Sequence, residues 1–166
     1  PRNLRNTVSG LKKGGSKKPN PNQNPGCFKC GKCKVSCPVL KEGINFSSTN
    51  TKKQYQIKYH LDCNSSFVVY LATCKRCCGQ YVGKSQTKLK TRHSNHKSEI
   101  KRRIGGLGHH YGGNQGCGYE NFSIQIIDKV KDGDVEALAQ CEVYWQEQLR
   151  VFLENGGNGH CRRREK

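Results

Sequence analysis

The fold is decided by the stretch FVVYLATCKRCCGQYVG, residues 67–83. Residues 67–71 form an apolar run of strand length, and residues 80–83 form a second short run behind a turn rich in cysteine and glycine. We therefore predict two neighbouring strands joined by this turn. Tyr70 lies near the end of the first strand and Tyr81 at the start of the second, so both phenols are expected in the same region of the sheet.

Downstream of this hairpin the chain alternates between helix and strand patterns. One face of the first predicted helix carries Leu89, His96, Ile100 and Ile104. Asp134 follows a turn and offers N-cap chemistry to the second helix. In order, the pattern predicts a helix over 89–104, a loop rich in glycine and histidine over 105–118, a strand over 122–127 and a helix over 135–153. The order β-β-α-β-α predicts an α+β domain with a small three-stranded antiparallel sheet flanked by helices.

Composition divides the rest of the chain. Residues 1–26 are basic, rich in Gly, Pro and Asn, and without periodicity, which indicates a flexible linker. Residues 27–65 are rich in cysteine and contain a short alternating strand pattern at 54–59. We assign residues 66–160 to the main domain and residues 161–166 to a basic tail.

The charge balance points to a polyanionic partner. Lys and Arg number 30 against 12 Asp and Glu, which gives a net charge of +18. Such an excess disfavours a compact state through self-repulsion, and phosphates would offset it while releasing counterions. We expect a nucleic acid as partner and no membrane, since no stretch approaches the roughly 20 apolar residues of a spanning helix. Because the chain begins at Pro1 and contains no methionine, we expect it to belong to a longer polypeptide.

The 11 cysteines indicate metal thiolates rather than disulfides. Their number is odd, they cluster with C-x-x-C spacing, and no apolar signal segment precedes them, all of which favours a reducing compartment. Only 33% of residues are apolar, so the small core needs the support that structural metals give.

The first predicted zinc site starts from the turn between the two strands. Cys74 and Cys77 supply half of a tetrahedral site from a tight knuckle. We expect His110 and Cys117 to complete it, because little else would order the glycine-rich loop that holds them. His109 and Cys78 are the neighbouring alternatives.

A second site is predicted upstream. The run Cys27-x-x-Cys30-x-x-Cys33-x-x-x-Cys37-Pro38 has the spacing of a ferredoxin [4Fe–4S] loop, so an iron–sulfur electron carrier is one alternative. Lysines among these cysteines favour a zinc knuckle on a basic surface instead. Cys63 makes five thiols for four places, and we expect it to replace Cys27. A weaker ligand candidate is His60.

Both predicted helices carry charged or ionisable side chains at positions that could form a site. Arg92 and His96 stand at i and i+4 on the first helix, so they face the same way. Glu142 lies in the second helix within the otherwise apolar stripe Leu138, Glu142, Trp145, Leu149 and Phe152. An unpaired buried carboxylate is costly, and a divalent metal would relieve that cost.

In these residues the chain resembles the GIY-YIG nuclease superfamily. Val68-Val69-Tyr70 stands for the first motif, without its glycine and isoleucine, and Tyr81-Val82-Gly83 stands for the second. The helix signature is matched by Arg92-x-x-x-His96, the metal-binding glutamate by Glu142, and an asparagine after the last helix by Asn158. The cysteine pair between the motifs and the upstream cysteines resemble the endonuclease domain of Penelope-like retroelements, although Cys117 stands where relatives usually carry histidine.

The resemblance implies a GIY-YIG-like fold and a metal-dependent DNA endonuclease. Glu142 would hold Mg²⁺ or Mn²⁺, and Arg92 would bind the non-bridging phosphate oxygens. Tyr70 would act as base or position the water, with Tyr81 and His96 orienting it. A phenol has an ordinary pKa of about 10, and we expect Lys84 to help lower that pKa.

The same resemblance implies a nuclear protein that nicks target DNA to prime reverse transcription. Its partners would be DNA, the reverse transcriptase of the same polypeptide and its template RNA. About two structural zinc ions would be bound. The alternative function is a zinc-dependent nucleic-acid-binding module without catalysis.

Overall fold

The computed structural model of the chain describes residues 23–151, which form an α+β structure with three α-helices and small sheets. The strands are β1 (Gly26–Phe28), β2 (Asn45–Ser47), β3 (Gln54–Gln56), β4 (His60–Asp62), β5 (Val68–Cys74), β6 (Gln80–Ser85) and β7 (Phe122–Lys129). The helices are α1 (Leu89–Arg102), α2 (Gly105–Tyr111) and α3 (Val135–Leu149), and a 3₁₀ turn covers Tyr119–Asn121. None of the helices in this range is long and apolar enough to cross a membrane.

The predicted three-stranded antiparallel sheet is confirmed, with the strand order β6-β5-β7. β5 lies in the centre and its residues are almost all buried, which explains its near-continuous apolar sequence. The register places Tyr70 opposite Gly83 on β6 and opposite Ile126 on β7. On the β7 side the register shifts between Val69 and Tyr70, and a bulge of this kind re-aims the side chains beside it.

The start of α1 is hydrogen-bonded to the end of the cysteine-rich segment. The backbone N–H groups of Leu89 and Lys90 donate to the carbonyls of Ser65 and Cys63, both at 3.0 Å, so two of the four donors at the helix start are satisfied. The helix ends at Arg102 and is capped by Arg103, whose backbone is left-handed. The prediction that Ile104 shares the buried face is wrong, because the helix stops before it and Ile104 is 45% exposed. His93 is buried on that face instead.

The prediction of an irregular loop over 105–118 is wrong in its first half. Residues Gly105–Tyr111 form α2, which packs against α1 and buries Leu107 and Tyr111. Glycine has a low helix propensity, so the local sequence did not indicate a helix. Tertiary contact overrides that propensity here.

α3 begins as predicted at a capped turn. The Asp134 side chain accepts a hydrogen bond from Ala137 N at 2.9 Å. Leu138, Trp145 and Leu149 are buried along the predicted stripe. The helix ends at Leu149, and the stripe's last member, Phe152, lies outside the described residues.

The cysteine-rich segment and the three-stranded sheet share one hydrophobic core. The backbone of Ile124 on β7 donates to Val39 and accepts from Lys41. The β2–β3 hairpin packs on α3, where the rings of Phe46 and Tyr55 lie 5.0 and 5.2 Å from that of Trp145. β3 is shorter than the predicted strand over 54–59, since it covers Gln54–Gln56 alone.

Candidate metal centres and candidate active site

The four residues predicted for the first zinc site lie together. The ligand atoms of Cys74, Cys77, His110 and Cys117 are all within 4.8 Å of one another. Cys77 Sγ is 3.4 Å from His110 Nε2. A tetrahedral zinc with ordinary Zn–S and Zn–N bonds would place these two atoms about 3.6 Å apart, so the donor set fits a zinc ion.

Local structure brings these four ligands into reach. Cys74 ends β5 and Cys77 lies in the turn that follows, where Gly79 N donates to the Cys77 sulfur at 3.4 Å. His110 lies in the last turn of α2, and Cys117 N donates to the His110 carbonyl at 2.8 Å. The cluster therefore joins the β5–β6 hairpin to α2.

His109 and Cys78, the alternative ligands for this site, lie outside the cluster. His109 is exposed and its Nδ1 lies 2.7 Å from the carbonyl oxygen of Gly105. Cys78 is exposed, and its backbone is left-handed with φ 61°. Neither belongs to the cluster.

Cys30, Cys33, Cys37 and Cys63 form the second cluster. Cys37 Sγ lies 3.6 Å from that of Cys30, 3.3 Å from that of Cys33 and 3.7 Å from that of Cys63. A tetrahedral zinc tetrathiolate has sulfurs about 3.8 Å apart, which matches these separations. In a [4Fe–4S] cluster each thiolate binds a different iron of a cube, so its sulfurs must stand further apart. The geometry therefore fits a single ion.

The other two candidates for this second site lie outside the cluster. Cys27 is buried, and its sulfur accepts from Ile126 N at 3.4 Å, while burial raises the pKa of its thiol to about 12. Cys27 is therefore part of the hydrophobic core, and Cys63 is the fourth member of the cluster, as predicted. His60 stacks on Phe28 at 5.0 Å, and its Nδ1 lies 2.9 Å from the Asn24 carbonyl oxygen.

The electrostatics of the second cluster favour a cation. Backbone N–H groups of Lys32 and Cys33 lower the pKa of the Cys30 thiol to about 6. Burial raises the pKa of Cys63, and the neighbouring thiols of Cys33 and Cys37 add to that effect. Four thiolates this close repel one another, and a divalent metal removes the repulsion.

The two phenols and the histidine of α1 meet at the centre of the molecule. The Tyr70 hydroxyl lies 2.6 Å from His96 Nε2, and both side chains are almost fully buried. The ring of Tyr81 is 6.4 Å from those of Tyr70 and His96. A Cβ on Gly83 would lie 2.4 Å from the Tyr70 oxygen, so the absence of a side chain at Gly83 makes room for this arrangement.

The expectation that the basic surroundings lower the pKa of Tyr70 is wrong. Burial raises the pKa of Tyr70, and Tyr81 adds to this, while the guanidinium of Arg92 opposes it only in part. Burial likewise raises the pKa of Tyr81. The cost of removing a phenolate from water exceeds the attraction of the nearby cation.

Lys84 and Glu142 form an ion pair. Lys84 Nζ is 2.5 Å from Glu142 Oε2, and the glutamate side chain is 17% exposed. Glu142 Oε1 accepts from Gln146 Nε2 at 3.2 Å, so among the described residues Lys84 and Gln146 each hold one oxygen of the carboxylate. A carboxylate has about four lone-pair sites, so Glu142 can still serve as a metal ligand beside these two contacts. The ammonium of Lys84 is thus paired with this carboxylate and not with the phenol of Tyr70 or Tyr81.

The structure adds Glu99, which the sequence analysis missed. Its Oε2 lies 2.9 Å from His96 Nδ1 and its Oε1 lies 3.5 Å from an Arg92 amino nitrogen. The sequence did carry a signal for this contact. Glu99 follows His96 by three residues and Arg92 by seven, and both intervals place side chains on one helix face. Asn158 lies outside the described residues.

Comparison of the chain with known proteins finds no matching family model, and no match among curated proteins or solved structures.

Proposed function

We propose that this chain is a divalent-metal-dependent nuclease that cuts phosphodiester bonds in DNA. The observation that carries the proposal is the Glu142 carboxylate, which is 17% exposed in the otherwise apolar stripe of α3 and whose charge acts on the pKa of both Tyr70 and Tyr81. In a protein of net charge +18, binding to DNA alone does not call for a carboxylate at this position.

More specifically, we propose the GIY-YIG endonuclease domain of a Penelope-like retroelement. The support is the sequence resemblance, together with the β6-β5-β7 sheet that carries both tyrosine motifs and the cysteine pair between them. On this proposal the nick would leave a 3′-hydroxyl for reverse transcription in the nucleus. The partners would be the reverse transcriptase of the same polypeptide and its template RNA.

Each residue has a role in hydrolysis. Glu142 would hold Mg²⁺ or Mn²⁺, which when bound polarises the scissile phosphate and stabilises the leaving oxygen. Arg92 presents its guanidinium to the non-bridging oxygens, where its hydrogen bonds strengthen as negative charge develops. Tyr70, hydrogen-bonded to His96, accepts a proton from the attacking water. Lys84 balances the charge of Glu142.

The alternative is a zinc-dependent nucleic-acid-binding module without catalysis, favoured by the net charge of +18 alone. The two proposals are distinguished by incubating the purified protein with supercoiled plasmid in Mg²⁺ and, in parallel, in Mg²⁺ with excess EDTA. The nuclease proposal predicts open-circular product in Mg²⁺ only. Plasmid that stays supercoiled under salt conditions where it is bound would favour the binding module.

A further inference from the structure

Glu99 contacts two members of the candidate active site and has no part in the mechanism above. It lies on α1, three residues after His96 and seven after Arg92. Its carboxylate lies 2.9 Å from His96 Nδ1 and 3.5 Å from an Arg92 amino nitrogen. The Glu99 side chain is 34% exposed, so its carboxylate reaches inward from the protein surface.

The contact with Glu99 determines where His96 carries its proton. A carboxylate can only accept hydrogen bonds, so His96 Nδ1 must hold the hydrogen between them. In a neutral imidazole the other nitrogen, Nε2, then has a free lone pair. The Tyr70 hydroxyl, 2.6 Å away, must therefore donate to Nε2.

Burial, aided by the cation of Arg92, keeps the ring of His96 neutral at rest. Burial lowers the pKa of His96, and the hydrogen bond to Glu99 raises it against that effect. The groups that face the ring are Tyr70 from β5, Tyr81 from β6, and Arg92 and Glu99 from α1. The cation of Arg92 opposes protonation, and Glu99 is the one carboxylate among these groups.

We propose that Glu99 is a positioning residue of the nuclease site, which fixes His96 as the Nδ1–H tautomer so that Nε2 can receive the Tyr70 proton. The inference rests on the proposed function. As water attacks phosphorus, it gives one proton to the Tyr70 oxygen, and Tyr70 passes its own proton to His96 Nε2. A phosphorus–oxygen bond forms, the bond to the leaving oxygen breaks, and that oxygen takes a proton from solvent while His96 later releases one.

This arrangement lets a phenol with a raised pKa act as a base. Tyr70 never has to become a free phenolate, because it gains one proton as it loses another. The imidazolium that forms is paired with Glu99. The orienting carboxylate has the same physical task as the buried aspartate of a Ser-His-Asp triad, which holds the histidine tautomer and stabilises its cation.

The first test measures the tautomer and does not depend on nuclease activity. Nitrogen-15 chemical shifts of histidine-labelled protein should show His96 with hydrogen on Nδ1 in wild type. Glu99→Ala should shift it towards the Nε2–H form, while Glu136→Ala, an exposed glutamate on α3, should leave it unchanged. A wild-type His96 with hydrogen on Nε2, or a tautomer unaffected by Glu99→Ala, would overturn the proposal.

The second test is the nicking rate across pH. Glu99→Ala should slow nicking by at least roughly 100-fold, and Glu99→Gln by less, since its amide oxygen still accepts from Nδ1–H. Losing the carboxylate also lowers the pKa of His96, so the acid limb of the rate profile should move to lower pH in both variants. A slower rate with an unmoved acid limb would mean a merely structural role. If wild type fails to nick, the proposed function fails, and the tautomer measurement still decides the role of Glu99.

Discussion

At the scale of single residues, the candidate site combines a buried phenol with charged side chains around it. Tyr70 lies in the middle of β5 with its hydroxyl on His96, and burial raises its pKa. Arg92 has a raised pKa because the attraction of Tyr70 and Glu99 outweighs the effect of burial, so it stays charged. The site thus holds a permanent cation beside a phenol that needs a proton relay.

Replacing either central residue should remove catalysis and spare binding. We expect Tyr70→Phe and Arg92→Ala each to lower the nicking rate by at least roughly 100-fold, the scale of losing a proton acceptor or a transition-state donor. Duplex affinity, measured by gel shift at fixed salt, should change little, because many other basic residues can contact phosphate. A loss of affinity as large as the loss of rate would show that these residues bind DNA and take no part in chemistry.

Gly83 offers a steric test of the same centre. A methyl group there would overlap the Tyr70 oxygen at 2.4 Å and the Tyr81 ring at 2.8 Å. Gly83→Ala should therefore displace the phenols, cost roughly 1–3 kcal/mol of stability in thermal unfolding, and abolish most nicking. Unchanged stability together with unchanged nicking would show that the phenols do not need this geometry.

At the scale of elements, the first cluster of candidate ligands joins elements that are distant in sequence. Cys74 and Cys77 belong to the hairpin that carries both phenols, and His110 belongs to α2. A closed site with four protein ligands leaves no position for substrate, so a zinc ion bound here would be structural. Binding of such a metal is coupled to folding.

Two adjacent cysteines make a matched pair of variants. Cys77→Ser should lower the melting temperature and remove about one of two zinc ions per chain in elemental analysis, with activity falling only as the fold is lost. Cys78→Ser is the control, because Cys78 is exposed and outside the cluster, and it should leave both measurements unchanged. Iron with sulfide in wild type, or two zinc ions retained in Cys77→Ser, would overturn the ligand assignment.

How far the sequence predicts these elements depends on how local their causes are. The C-x-x-C pair and the apolar strands of the sheet are local patterns, and the structure has them where they were expected. α2 was missed because its three glycines disfavour a helix and its stabilising contacts come from α1. The ion pair of Lys84 with Glu142 and the contacts of Glu99 were missed for a similar reason, because each depends on residues that come close only in the folded chain.

At the scale of the whole molecule, the helix that carries Arg92 and His96 is held from two sides. Its first turn is bonded to the carbonyl of Cys63 in the second cluster, and α2 with His110 packs along it. His93 on the same helix contacts residues on both sides. Its Nδ1 lies 3.1 Å from the Ser36 hydroxyl in the cysteine-rich segment, and its Nε2 lies 3.0 Å from the Tyr119 hydroxyl. Zinc ions bound at the two clusters would therefore support one helix, and the net charge of +18 would suit a phosphate backbone.

The most direct measurement of the central claim is the initial rate of plasmid nicking in Mg²⁺ by Glu142→Ala against Glu147→Ala. Both glutamates lie on α3, but the charge of Glu142, which is only 17% exposed, acts on the two phenols, whereas Glu147 is exposed. We predict no nicking by Glu142→Ala and a wild-type rate for Glu147→Ala, with equal melting temperatures and equal salt-dependent affinity for DNA. Nicking by Glu142→Ala at the wild-type rate would contradict the account.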